Sequence, residues 1–185
     1  MLVLASASPR RKELLKNITN NFDIIVSDFD ETLPDNISPM EIAEYFATKK
    51  ALDVFEKDKN NIVIGSDTVI VFNNKVYGKP TSKEEAKRML LDFSNNTHFV
   101  VTGVCVVSNK NTISFSSINE VSFYNLSEKE IEDYLSCDEY KDKAGSYAIQ
   151  GKGGLFIKKI NGDYNSIVGL PVSQLNRILK SFFNI

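Results

Sequence analysis

The chain is short of the residues that build metal clusters and disulfide frameworks: it has two cysteines and one histidine in 185 residues, and no Cys-x-x-Cys pair. Cys105 lies in an apolar run and Cys137 in a polar stretch, so zinc centres and disulfide scaffolds are excluded as organising features. A reducing compartment is expected. No apolar run approaches the roughly 18 residues a membrane span needs. The start, Met1-Leu2-Val3-Leu4-Ala5, is too short for a signal segment before Ser8-Pro9-Arg10-Arg11 interrupts it, so a cytoplasmic chain without membrane contact is expected. An excess of one charge is also missing. With 22 basic and 24 acidic residues the net charge is -2, which argues against a general nucleic-acid binder but leaves room for a local cationic pocket. There is no GxxxxGK[ST] phosphate loop, internal repeat, low-complexity segment or linker, and a single domain over residues 1–185 is expected.

What is present is organised around Asn61 to Pro80. Ile62-Val63-Ile64 is a β-branched apolar run that predicts a buried strand ending at Gly65-Ser66-Asp67-Thr68, where a carboxylate leaves the core. Val69-Ile70-Val71-Phe72 and Val76-Tyr77 flank Asn73-Asn74-Lys75, a hairpin signal, and the return strand leads into Gly78-Lys79-Pro80. An acid and a lysine are thereby expected across one hairpin, although a surface acid near a solvated lysine fits the same residues.

At the N-terminus, Leu2-Val3-Leu4 predicts a first strand and Ser8-Pro9 the start of a helix, with serine as cap and proline at the first helical position. Arg10-Arg11-Lys12 then fall in the first turn, where the helix dipole favours acids by about 0.3 to 1 kcal/mol each. A bound anion would relieve the repulsion through free backbone N–H groups and two guanidinium forks, and phosphate fits that description best. Ser38-Pro39-Met40-Glu41 predicts a capped helix from about Pro39 to Lys57. Its apolar stripe, Ile42, Ala43, Phe46, Ala47, Ala51, Val54 and Phe55, contains Lys50. That lysine either snorkels outward or points its ammonium into a cleft that holds anions.

Further capping boxes at Ser82-Lys83-Glu84-Glu85 and Ser127-Glu128-Lys129-Glu130 open ordinary packing helices. Strands are expected at Phe99 to Val107 and between Asn111 and Asn125, and Pro171 opens a last helix with Leu175, Ile178, Leu179 and Phe182 inside. His98 reads as structural. Gln150, beside Ile149 and Gly151, offers a donor and an acceptor together, which suits a nucleobase edge and equally a plain turn. Asp28-Phe29-Asp30-Glu31-Thr32 after an apolar strand resembles the first motif of haloacid-dehalogenase-type phosphatases, with Asp28 as nucleophile. The later acidic pair that such enzymes need is missing, since Gly162-Asp163-Tyr164-Asn165 lacks the second acid.

Six separated pieces match one pattern. Ala5-Ser6-Ala7-Ser8-Pro9-Arg10-Arg11, Gly65-Ser66-Asp67-Thr68, Gly78-Lys79-Pro80, Thr102-Gly103-Val104, Asp142 to Gly151 and Val168-Gly169-Leu170-Pro171 together resemble the Maf-like nucleoside triphosphate pyrophosphatases, across nearly the whole chain. The resemblance implies an α/β fold, with an elongated mixed β-sheet flanked by helices and two lobes around a central cleft. It also implies a divalent cation, Mg²⁺ or Mn²⁺, and hydrolysis of a nucleoside triphosphate to the monophosphate and pyrophosphate. Homodimers are common in that family. The Asp-Lys-Ala-Gly run through Ile149-Gln150-Gly151 resembles the branch acting on dTTP and UTP, with Ala148 where that branch often has glycine.

By the same resemblance Asp67 looks like the general base. Arg10, Thr68 and Gln150 stand where the family sets substrate choice, while Ser8, Arg11, Lys50, Lys79 and Lys143 match its substrate-binding positions. Glu31 and Asp67 are the implied metal ligands. Two other readings remain beside the pyrophosphatase: a non-catalytic nucleotide-binding regulator of cell division, and the Asp28-dependent phosphatase.

Overall fold

A computed structural model of the chain describes residues 1–33 and 36–185. Its strands are β1 (Leu2–Leu4), β2 (Asp23–Ile24), β3 (Ile62–Phe72), β4 (Lys75–Tyr77), β5 (Thr97–Val107), β6 (Thr112–Phe123) and β7 (Ile157–Asn161). They form one seven-stranded sheet in the order β2-β1-β3-β5-β6-β7, with β4 paired to β3. The sheet is mixed: β1 runs parallel to β2 and β3, whereas β3–β4 and β6–β7 are antiparallel. The helices are α1 (Pro9–Leu15), α2 (Ile42–Lys57), α3 (Lys83–Phe93), α4 (Glu128–Leu135), α5 (Tyr164–Val168) and α6 (Val172–Ile178). None of them is long and apolar enough to cross a membrane among the described residues. The chain divides into two compact units, one of Met1–Thr68, Thr102–Ser117 and Asn165–Ile185, the other of Val69–Val101 and Ile118–Tyr164.

In the first unit the expected stripe of α2 is buried in full: Ile42, Ala43, Phe46, Ala47, Ala51, Val54 and Phe55 all face inward. Val3, Ala5, Ala51, Val54, Phe55, Val63, Cys105 and Val107 form one cluster beneath it. Two glycines bring the helix down onto the sheet. A Cβ at Gly65 of β3 would lie 2.1 Å from the Ala47 carbonyl, and one at Gly103 of β5 would lie 2.3 Å from that of Ala43. This corrects the expected strand end at Gly65. The strand β3 is continuous for 11 residues, and Gly65 serves a close backbone approach rather than a turn.

Two other local expectations shift. The helix after Ser38 begins at Ile42, capped by Glu41 in helical backbone without a side-chain bond. The amide of Glu41 reaches the Ser38 carbonyl instead, at 2.9 Å, so the sequence forms a preceding turn rather than a capping box. At the C-terminus a π-helical turn, Leu179–Phe183, interrupts the 3.6-residue phase. Phe183 therefore faces inward where Phe182 was expected, and Phe182 is exposed.

The second unit is built on aromatic side chains. Phe93, His98, Phe123 and Tyr147 pack with ring centroids 4.3 to 6.5 Å apart, mostly edge to face as ring quadrupoles prefer. His98 has the expected structural role: it is fully buried, its Nε2 lies 2.7 Å from the Tyr147 hydroxyl, and burial pushes its pKa down to about 3. The hairpin also forms as expected, with Asn73 and Asn74 at φ 48° and 59° between Phe72 and Lys75. The capping box at Ser127 closes reciprocally with Glu130. At Ser82 the serine caps the Glu85 amide, but the Glu85 carboxylate turns to Thr81.

Because Gly65 has backbone rather than side-chain atoms against it, Gly65→Ala is expected to lower unfolding stability by about 3 kcal/mol or more. Urea unfolding followed by circular dichroism measures this, and a loss below about 1 kcal/mol would remove the close-approach role.

Candidate active site

Side chains alternate along a strand, so neighbouring residues of β3 serve opposite faces of the sheet. Gly65 meets α2 and Asp67 follows it on the same side, where Lys50 of α2 waits. Ser66 and Thr68 face away. The same division recurs in β5, where Gly103 meets α2 and Thr102 faces away. The side-chain partners of these residues bear out the alternation.

Toward α2, the Lys50 ammonium donates to Asp67 Oδ1 at 2.6 Å and lies 2.7 Å from Glu31 Oε1. Lys50 and Asp67 keep only 12% and 11% of their side-chain surface, while Glu31 keeps 54%. Lys50 therefore resolves its place in an apolar stripe by pairing, not by snorkelling. Burial pushes the Asp67 carboxyl above the ordinary aspartate value, and the charges of Lys50 and Arg11 pull it back part of the way. The result is a nearly buried carboxylate with strengthened proton affinity.

On the other face, Ser8 caps α1 by accepting from the Arg11 amide at 3.4 Å. With no acid in that first turn, Arg11 folds back over its own helix start. Its Nε donates to the Gly169 carbonyl at 3.0 Å, its Nη1 to Ser6 Oγ at 3.3 Å and its Nη2 to Thr68 Oγ1 at 3.1 Å. Three of five guanidinium donors are thus fixed on protein, which leaves two for a ligand. Burial lowers the Arg11 pKa, opposed by the charge of Asp67. The Gly169 carbonyl also accepts from Ser66 Oγ at 3.1 Å. Gly169 has φ 134°, which only glycine adopts readily, and this aims its carbonyl at both donors. Thr68 Oγ1 lies 2.8 Å from Thr102 Oγ1, which donates to the Ser166 carbonyl at 2.8 Å. The Arg10 side chain, half-buried at the same helix start, makes no ion pair or hydrogen bond among the described residues.

The first unit thus brings together Ser8, Arg11, Thr68, Lys50, Asp67 and Glu31. In the second unit, Lys79 is exposed after β4, Lys143 is half-buried at the start of the Ala144–Ser146 turn, and Gln150 is exposed. The turn after Gln150 is held by Glu139, whose carboxylate accepts from the amides of Lys152 and Gly153 at 2.9 and 3.1 Å. Glu139, Ser6, Ser66, Thr102 and Gly169 had no assigned role in the sequence. Their only signal was membership of, or proximity to, the short motifs. Asp28 is strongly exposed and bonded to Lys57 at 2.7 Å, an arrangement that ties it to a surface cation.

Among the described residues no three His, Cys, Asp or Glu side chains gather as a metal cluster. Glu31 and Asp67 nonetheless reach the same point charge from two sides. Paired carboxylates are the oxygen-donor chemistry that a hard divalent cation takes, and the cation that Glu31 and Asp67 share in this structure is the Lys50 ammonium.

Fold and site define an α/β protein with a mixed sheet and a charged, partly buried carboxylate–lysine centre. The solved structure titled "The structure of the Staphylococcus aureus Ham1 protein" shares this fold, with a TM-score of 0.51 and 15% identity over 97% of each chain. The family described as Maf-like protein matches residues 1–182, and the chain belongs to that family. Relatives named dTTP/UTP pyrophosphatase include those of Bacillus cereus (strain G9842), 46% identical, and Bacillus anthracis, 47% identical. Each alignment covers 98% of this chain and 95% of the relative.

Removing one partner of a nearly buried ion pair strands the other, at a cost of about 3 to 5 kcal/mol. Lys50→Met should therefore destabilise the fold, and the loss should depend on pH. Asp67 has a folded pKa raised above its unfolded value, and losing Lys50 raises it further. Stability is retained at low pH and lost as pH rises through the window above about 4. Urea midpoints are expected to show a larger deficit at pH 8 than at pH 5, and a deficit independent of pH would contradict the pairing.

Proposed function

We propose that this chain is a nucleoside triphosphate pyrophosphatase that hydrolyses dTTP and UTP to the monophosphate and pyrophosphate, with modified pyrimidine nucleotides in the same substrate class. The observation that carries the reading is 46% to 47% identity, over 98% of the chain, to relatives bearing that activity in their names. The carboxylate centre supplies a chemical means. Asp67 is the base: its buried carboxylate takes a proton from the attacking water as the water oxygen bonds to the α-phosphorus. The bond from that phosphorus to the bridging oxygen breaks, and pyrophosphate leaves with the electron pair. Burial strengthens Asp67 as a base, while Lys50 orients it and offsets part of that upward push.

The two unspent Arg11 donors, together with Arg10 and the capped start of α1, bind phosphate oxygens. Lys50 adds positive charge where the leaving group develops negative charge. Positioning and charge neutralisation supply most of the rate, because phosphoryl transfer asks little covalent work of the protein. Glu31 and Asp67 would hold Mg²⁺ or Mn²⁺, which when bound polarises a phosphate oxygen and offsets charge on the triphosphate. For Lys79, Lys143 and Gln150 the proposal rests on the motifs alone: the lysines contact phosphate, and the Gln150 amide N–H donates to the O4 edge of uracil or thymine. A cytoplasmic enzyme, a homodimer and the absence of a nucleic-acid partner belong to the same reading.

Asp67→Asn keeps the shape and removes the base. It is expected to fold normally and to lose kcat for pyrophosphate release from dTTP by about 10²- to 10⁴-fold. Near-normal turnover would reject the assignment, and orthophosphate rather than pyrophosphate as product would reject the reaction class.

A further inference from the structure

The hydroxyl groups behind Thr68 have a fixed direction. A backbone carbonyl only accepts, so Thr102 must give its single proton to the Ser166 carbonyl, 2.8 Å away. Thr102 then has no proton left for Thr68. Across their 2.8 Å contact Thr68 is the donor and Thr102 the acceptor. Arg11 cannot accept, so its Nη2 donates to Thr68 Oγ1 at 3.1 Å. Thr68 has thus spent its proton and one lone pair on the protein. What it retains is one lone pair on a half-buried oxygen.

Thr102 is fully buried, and water has little access to reverse this chain. A ligand group that meets Thr68 must therefore be a hydrogen-bond donor. That constraint is selective only for ligand groups whose own polarity is fixed. A sugar hydroxyl can turn either its proton or a lone pair toward its partner, whereas a base edge cannot. Uracil and thymine carry a proton on N3, and cytosine has a bare lone pair there.

We propose that Thr102 is a positioning residue for base selection: by consuming the Thr68 proton it makes Thr68 an acceptor-only contact that takes the imide N–H of uracil or thymine and repels cytosine. This deepens, and rests on, the pyrophosphatase reading. A polar contact left facing the wrong partner is a stronger discriminator than a change of shape. Thr102→Val would free the Thr68 proton, letting that hydroxyl turn toward either base.

The experiment compares kcat/KM for UTP and CTP in the wild-type chain and in Thr102→Val, Thr102→Ala and Thr102→Ser. The ratio of the two values within one preparation does not depend on the fraction of folded protein, so partial loss of stability leaves the readout intact. The wild type is expected to prefer UTP, and the Val and Ala variants to lose about tenfold or more of that preference. Thr102→Ser, which restores the hydroxyl, is expected to keep it. A ratio that stays unchanged in Val and Ala while both rates fall together would mark Thr102 as structural and overturn the proposal. Equal wild-type hydrolysis of UTP and CTP would overturn it while leaving the pyrophosphatase reading standing. Release of pyrophosphate from neither dTTP nor UTP would instead sink that reading, and this proposal with it.

Discussion

The contact between Lys50 and Asp67 is the interaction on which the site depends. An aspartate in the middle of a central strand and a lysine within the apolar stripe of a helix would each be costly alone. Together at 2.6 Å, with Glu31 on the outer side of the lysine, they become a stable local arrangement. The pairing requires α2 to lie unusually close to β3, and Gly65 and Gly103 provide that closeness. Backbone geometry, burial and proton affinity are thus linked in one place. The glycines set the helix height, the height sets the Lys50–Asp67 distance, and at that distance the ammonium opposes the upward push of burial on the Asp67 carboxyl.

The opposite face of the same two strands carries a different kind of order. Arg11, Ser6, Ser66, Thr68, Thr102 and the carbonyls of Ser166 and Gly169 form a neutral-to-cationic network whose hydrogen bonds mostly have one possible direction. Such a network fixes the Arg11 side chain, so less rotamer freedom would remain to be lost on binding any ligand. It also hands a defined polarity to Thr68. One strand of alternating side chains therefore carries a nearly buried ion pair on one face and a directed hydrogen-bond network on the other.

Much of this was legible in the chain itself where the physics is local. Ser8 and Pro9 start α1 through cap chemistry within three residues, and Asn73-Asn74 make the hairpin because asparagine tolerates the left-handed backbone. Lys50 was conspicuous because it broke an otherwise apolar stripe. What the sequence hid was set by distant partners. Gly65 resembled a strand end because its neighbour, the backbone of α2, is invisible in a linear pattern. The partner of Arg11 at Gly169 is 158 residues away, and Thr102 reaches Ser166 across 64 residues. Phe182 and Phe183 exchanged places because a π-helical turn shifts the phase by a fraction that periodicity alone does not report.

The central claim is that a water held by Asp67 attacks the phosphorus nearest the sugar. Hydrolysis of dTTP in water enriched with heavy oxygen, followed by mass spectrometry of both products, tests it most directly. The account predicts that the heavy oxygen appears in the nucleoside monophosphate and not in pyrophosphate. Label in the pyrophosphate would place the attack on the β-phosphorus and contradict the account.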